Sequence, residues 1–141
     1  MLDDEHLQPG QCHIQQTAAG PLPDPACTPG AIDPAVNQSN VRSTICRPGY
    51  TATVRPSTSA TDKWKRIAQQ AYGITGVGEY DHLVSLELGG ANATSNLWPE
   101  PGSIPNPKDA VENRLHKEVC SGQITLAAAQ QAIATNWTTA P

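Results

Sequence analysis

The chain of 141 residues carries 13 Pro, 11 Gly, three Trp, three Tyr and no Phe. That length suits one domain, and a composition so rich in breakers and poor in aromatic rings supports a small core with many loops, excluding a regular helical bundle. The formal charge of −4 argues against a nucleic-acid partner only as an average: residues 1–40 hold five acids and no Lys or Arg, residues 41–78 six bases and one acid, and residues 79–141 three bases and seven acids.

Residues 1–40 lack periodicity, and Pro9, Pro21, Pro23, Pro25, Pro29 and Pro34 exclude a long helix or a central strand there. They are expected to form an irregular Pro-rich wrap packed on a core built by residues 41–141. The acidic opening, Met1-Leu2-Asp3-Asp4-Glu5, does not read as a secretory leader, and no stretch of 18 apolar residues offers a membrane span. Residues 41–56, VRSTICRPGYTATVRP, are rich in β-branched side chains and predict two short extended pieces around Pro48-Gly49. Ser59 or Thr61 then caps a helix running to about Tyr72, with Gly73 as its stop and Trp64, Ile67, Ala68 and Ala71 as its apolar stripe.

Gly76 to Gly78 make a flexible entry into EYDHLVSLELGG, where Tyr80, Leu83 and Val84 support a short strand that gives way to a loop at Gly89-Gly90. Asn96-Leu97-Trp98 predicts a second short strand, ended by Pro99 and Pro101. Asn106 is a good cap with Pro107 at the first helical position, and the helix through KDAVENRLHKEVCS ends at Gly122, with Val111, Leu115 and Val119 as its buried stripe. A last helix from Leu126 to about Thr135, capped by Thr125, turns Ala129, Ile133 and Trp137 inward. Cys12, Cys27, Cys46 and Cys120 contain no C-x-x-C pair, which leaves two disulfides in an oxidising, secreted or extracellular setting as the economical reading. Of three pairings, Cys12 with Cys27 closes a short Pro-rich loop and Cys46 with Cys120 staples the middle of the chain to the late helix.

Arg42, Arg47, Arg55, Lys63, Lys65 and Arg66 therefore stand directly before a region crowded with Asp, Glu, Asn and His, a phosphate-binding arrangement beside a candidate metal site. In that region come Asp81-His82, the Gly-Gly loop, Asn96-Leu97 fourteen residues after His82, and a helix bearing His116. With DHLVSLELGGANATSNLW as hairpin and KDAVENRLHKEVC as helix, the sequence resembles the HNH endonucleases, the His-Me finger nucleases, in their small bacterial secreted form. The resemblance implies an α+β fold with a small ββα-metal (HNH) core over about residues 79–121, extra helices around it, and the Pro-rich wrap. It departs from the common pattern in its long Pro-rich connection after Asn96 and in lacking zinc-knuckle Cys pairs.

That resemblance implies phosphodiester hydrolysis. His82 takes a proton from water, since imidazole titrates near neutral pH. Asn96 holds the loop and fixes the His82 ring, and Asp81 and His116 ligate one divalent ion. Glu112, one turn before His116, orients or replaces it, so the helix ligand lies open among His116, Glu112 and Asn113. A mixed oxygen and imidazole shell suits Mg²⁺ or Mn²⁺, with Zn²⁺ or Ni²⁺ as less active occupants. Arg42, Arg55, Lys63, Lys65 and Arg66 are the candidate substrate-binding residues. No groove-reading module is evident, so DNA, with RNA as a second substrate, is expected to bind through phosphates with little sequence specificity. The expected protein is a monomer off the membrane. Two other readings compete: a noncatalytic nucleic-acid or cell-surface binding module on the same frame, or the nuclease domain of an antibacterial toxin with an inhibitor or immunity protein.

Overall fold

The computed structural model describes residues 7–74, 79–102 and 106–141, so the opening five residues and the Gly76 to Gly78 entry lie outside the described residues. The fold is α+β. Strands β1 (Gln15–Thr17) and β2 (Gly20–Leu22) pair antiparallel, helices α1 (Tyr50–Val54) and α2 (Thr58–Tyr72) follow, and β3 (Glu79–His82) pairs antiparallel with β4 (Leu97–Glu100). Helices α3 (Pro107–Cys120) and α4 (Leu126–Asn136) complete the chain.

Besides β3, which ends at His82 and leaves the expected Leu83 and Val84 outside it, two predicted elements change type or extent. The β-branched stretch 41–56 is not extended: a 3₁₀ turn covers Gln38–Ser43 and α1 follows Gly49. Asn37 closes a capping box on the 3₁₀ turn, and Val41 and Ile45 both bury in the core, so capping and packing override strand propensity. Gly49 sits at φ 83°, a left-handed turn that feeds a helix rather than a second strand. Second, β4 runs through Pro99 to Glu100, with Pro99 opposite Tyr80. A two-stranded ribbon has an open edge on each strand, so the missing Pro N–H is tolerated there.

The remaining helices keep their predicted places. Ser57 caps α2, two residues ahead of the expected start, and Gly73 ends it at φ 65°. Asn106 caps α3 with a full capping box and Pro107 in its first turn, and Thr125 caps α4.

The N-terminal segment wraps across the core through backbone bonds: Cys12 N–H donates to Ala71 O (2.9 Å), Gly30 N–H to Ser95 O (3.0 Å) and Asp33 N–H to Gly89 O (2.8 Å). Disulfides join Cys12 to Cys27 and Cys46 to Cys120. The larger apolar cluster gathers Val41, Ile45, Val84, Leu115, Val119, Ile133 and Trp137 between α3, α4 and the wrap. A smaller one packs Trp98 and Leu83 of the hairpin on Ala71 and Tyr72 of α2 and the Cys12–Cys27 bridge. Among the described residues, no helix is long and apolar enough to cross a membrane.

Candidate active site

Strand alternation and register decide which side chains of the hairpin meet. Glu79 lies opposite Glu100 and Asp81 opposite Trp98, which puts all four on one face, while His82 points to the other. Asp81 is buried, and its Oδ2 accepts from Trp98 Nε1–H (2.9 Å) and from the Lys108 ammonium (2.9 Å).

Lys108 is fully buried at the start of α3. Its Nζ donates to Asp81 Oδ2, to Glu112 Oε2 (2.5 Å) and to the His82 carbonyl (2.9 Å), which engages all three ammonium protons. Burial alone would lower its pKa, but the carboxylates of Asp81 and Glu112 outweigh that and raise it, so the group stays cationic. Burial raises Glu112 to about 7, against the pull of Lys108 and with help from the Asp81 charge. Sequence reasoning missed Lys108, although a signal was there: Lys108, Glu112, Leu115 and Val119 step by four, three and four along one face of α3.

His82 is held by Asn92, a residue of the hairpin stretch to which the sequence assigned no role. Its Nε2 lies 2.8 Å from Asn92 Oδ1, and Asn92 Nδ2 donates to the Val54 carbonyl (2.7 Å). A carbonyl can only accept, so it fixes the amide with Oδ1 toward the ring; Nε2 then carries the proton and Nδ1 the lone pair. Burial lowers the His82 pKa below its ordinary value, opposed by the Asn92 bond and the Asp81 charge. The ring is thus neutral at pH 7.

The ring-fixing role expected of Asn96 falls to Asn92, ten residues after His82 in the loop. Asn96, fully buried, clamps the backbone instead: its Oδ1 accepts from Val84 N–H (2.8 Å), and its Nδ2 donates to Val84 O (2.9 Å) and Ala91 O (3.0 Å). The Gly-Gly loop makes that approach feasible. A Cβ at Gly90 would stand 1.6 Å from the Val84 carbonyl oxygen, a position no side chain can occupy.

Asp81, His82, Glu112, Glu79, Asp109 and Arg55 help line a cleft of about 170 Å³. His116 is not brought to it. Its Nε2 lies 2.8 Å from the Ile45 carbonyl and its Nδ1 3.9 Å from Glu87, in a separate recess with Arg47 and Tyr50. Four residues of helix rise about 6 Å, so with Glu112 reaching the Asp81 cluster, His116 stands a turn beyond it, beside the Cys46–Cys120 bridge. That corrects the expectation of an Asp81–His116 ligand pair. Asn113, the third helix candidate, is exposed and lines a neighbouring recess.

The basic block is spread out as well. Arg55 lines the cleft; Arg42, Lys63 and Arg66 are exposed elsewhere, Lys65 is half-buried, and Lys63 Nζ lies 5.9 Å from the centroid of the Trp64 ring. No family model, curated protein or solved structure matches this chain.

The hairpin's acidic face is the other feature that the motif did not announce. Glu79, Asp81 and Glu100 each offer a ligand atom, all within 4.8 Å of one another. Glu100 has no exposed surface, and neither of its carboxylate oxygens has a hydrogen-bond partner among the described residues. Burial, reinforced by the Asp81 charge, pushes it up to about 9, and the same two causes raise Glu79. The register that pairs Glu79 with Glu100 was the missing signal, since strand lengths alone do not set it.

Proposed function

We propose that the chain is a metal-dependent endonuclease that hydrolyses phosphodiester bonds of DNA, with RNA as a second substrate and little sequence preference, and that β3, β4 and α3 form a ββα-metal unit. The observation that carries this reading is His82: a neutral imidazole whose Nε2–H is committed to Asn92, leaving Nδ1 basic, in a cleft shared with Arg55 and four carboxylates. His82 Nδ1 takes a proton from the attacking water while the new P–O bond forms and the bond to the 3′ oxygen breaks; the departing 3′ oxygen takes a proton from solvent water, leaving 5′-phosphate and 3′-hydroxyl ends. Arg55 pairs with the non-bridging oxygens. The unpartnered oxygens of Glu100 beside Glu79 and Asp81 suit a divalent ion such as Mg²⁺ or Mn²⁺, and these hairpin carboxylates would hold it. When bound, such an ion supplies positive charge to the phosphate and makes water more acidic. The two disulfides support a secreted or extracellular setting.

One observation favours a second reading, a noncatalytic nucleic-acid binding module: the Lys108 ammonium fills the gap between Asp81 and Glu112 that was assigned to an ion. Cleavage of plasmid, single-stranded DNA and RNA by the purified chain, with Mg²⁺ or Mn²⁺ and with EDTA, separates the two. The nuclease account expects cleavage that EDTA stops and that His82→Ala lowers by roughly 10²- to 10⁴-fold. Binding without cleavage under every ion, or an unaffected His82→Ala variant, overturns it.

A further inference from the structure

We propose that the acidic face of the hairpin, Glu79, Asp81 and Glu100, is the seat of one hard divalent cation bound through oxygen alone, with no ligand from helix α3. This deepens the nuclease reading by naming where its ion sits, and it is tested by binding without substrate, so the two fail separately.

Charge and hydrogen-bond accounting lead there. Five carboxylates crowd this part of the molecule, those of Glu79, Asp81, Glu100, Asp109 and Glu112, and the buried cation among them is Lys108. Its three protons are spent on Asp81, Glu112 and the His82 carbonyl, so it has none for Glu79 or Glu100. Trp98 Nε1–H also goes to Asp81 Oδ2, the oxygen that Lys108 already uses, and neither donor engages Oδ1. Glu100 is left with two buried oxygens and no donor among the described residues. A buried carboxylate in that state is costly unless an ion or a proton supplies what the protein does not.

Geometry allows the ion. Opposite oxygens around one cation stand about 4.0–4.2 Å apart for Mg²⁺ and about 4.6–5.2 Å for Ca²⁺, and the three ligand atoms here lie within 4.8 Å of one another. Glu79 and Asp81 also line the open cleft, which gives a path in from solvent. The helix side of Asp81 is closed, because an ammonium at hydrogen-bond distance from both Asp81 and Glu112 fills the space an ion would need. Three carboxylates and no nitrogen or sulfur select a hard ion over Zn²⁺ or Ni²⁺.

Mn²⁺ titrated into the full-length chain and followed by electron paramagnetic resonance tests this. The wild type is expected to bind one Mn²⁺. Glu100→Gln and Glu79→Gln should each weaken binding at least about tenfold, the scale on which even outer partners of a metal ligand act, while Glu112→Gln, which removes a partner of Lys108 but no ligand, should weaken it less than either. Gln is isosteric and uncharged, so Glu100→Gln keeps the buried volume without the buried charge; Glu79→Gln, at a half-buried position, gives an independent reading. Wild-type affinity in both hairpin variants, a loss in Glu112→Gln equal to theirs, or no Mn²⁺ bound by the wild type overturns the proposal. Binding as expected without any cleavage leaves the seat standing and removes the nuclease.

Discussion

The two halves of α3 show opposite ways of using a buried helix face. Its second half presents Leu115 and Val119 to a closed apolar cluster with α4 and is stapled to the middle of the chain by Cys46–Cys120. Its first half presents Lys108 and Glu112 on the same stripe, but to charge, against Asp81 and the His82 carbonyl. Apolar contact in the second half stabilises without needing a partner of matched chemistry. Buried charge in the first half holds only while every partner is present, which is the arrangement expected where a fold gives up stability to place reactive groups. One helix thus serves as anchor at one end and borders the candidate site at the other.

Removing one partner from the charged half should have the largest effect on stability. Lys108→Met leaves Asp81 and Glu112 uncompensated and is expected to cost about 3–5 kcal/mol in urea unfolding. Leu115→Ala in the apolar half should cost about 2–5 kcal/mol, toward the lower end if α4 relaxes into the space. The comparison breaks if Lys108→Met is as stable as wild type, because the ammonium would then be ornamental. A smaller effect follows from pH. The folded pKa of Glu100 is about 9, above its ordinary 4.5, so the native state holds a proton that the unfolded chain has lost. Its stabilising contribution in metal-free protein is full below about pH 4.5 and is lost as pH rises through about 9. Urea midpoints in EDTA should therefore fall from pH 5.5 to 8.5, and Glu100→Gln should remove part of that fall; a rising midpoint would contradict the assignment. Smallest in stability is Asn92→Ala, expected to cost about 1 kcal/mol while cleavage drops severalfold because the His82 ring is no longer held in one tautomer.

Much of this architecture was legible because local signals and packing agree. Asn106-Pro107 at one end of α3, Thr125 before α4, and Gly73 after α2 each satisfy helix-end groups in a way that the fold keeps. Segment 41–56 was misread because β-branched residues carry only a weak strand preference, and the burial of Val41 and Ile45 outweighs it.

The site was legible in part, and for a different reason. Asp81, His82 and Glu112 do share a cleft, because a hairpin and the first turns of the next helix bring them there. His116 does not join them, since helix pitch carries it a turn too far along α3. Asn92 escaped notice because its role depends on a long-range partner, the Val54 carbonyl, that no local spacing reveals; for Lys108 the helical spacing marks a buried face but not its partner Asp81.

The nuclease account depends most on the basicity of one imidazole. Initial rates of plasmid nicking, measured for wild type and His82→Ala with Mn²⁺ across about pH 5 to 8, test it directly. The account predicts a wild-type rate that rises with pH and levels off below the ordinary histidine value of 6.5, and a variant whose rate is low and lacks that step. A His82→Ala protein that nicks DNA at the wild-type rate with the same pH profile would contradict it.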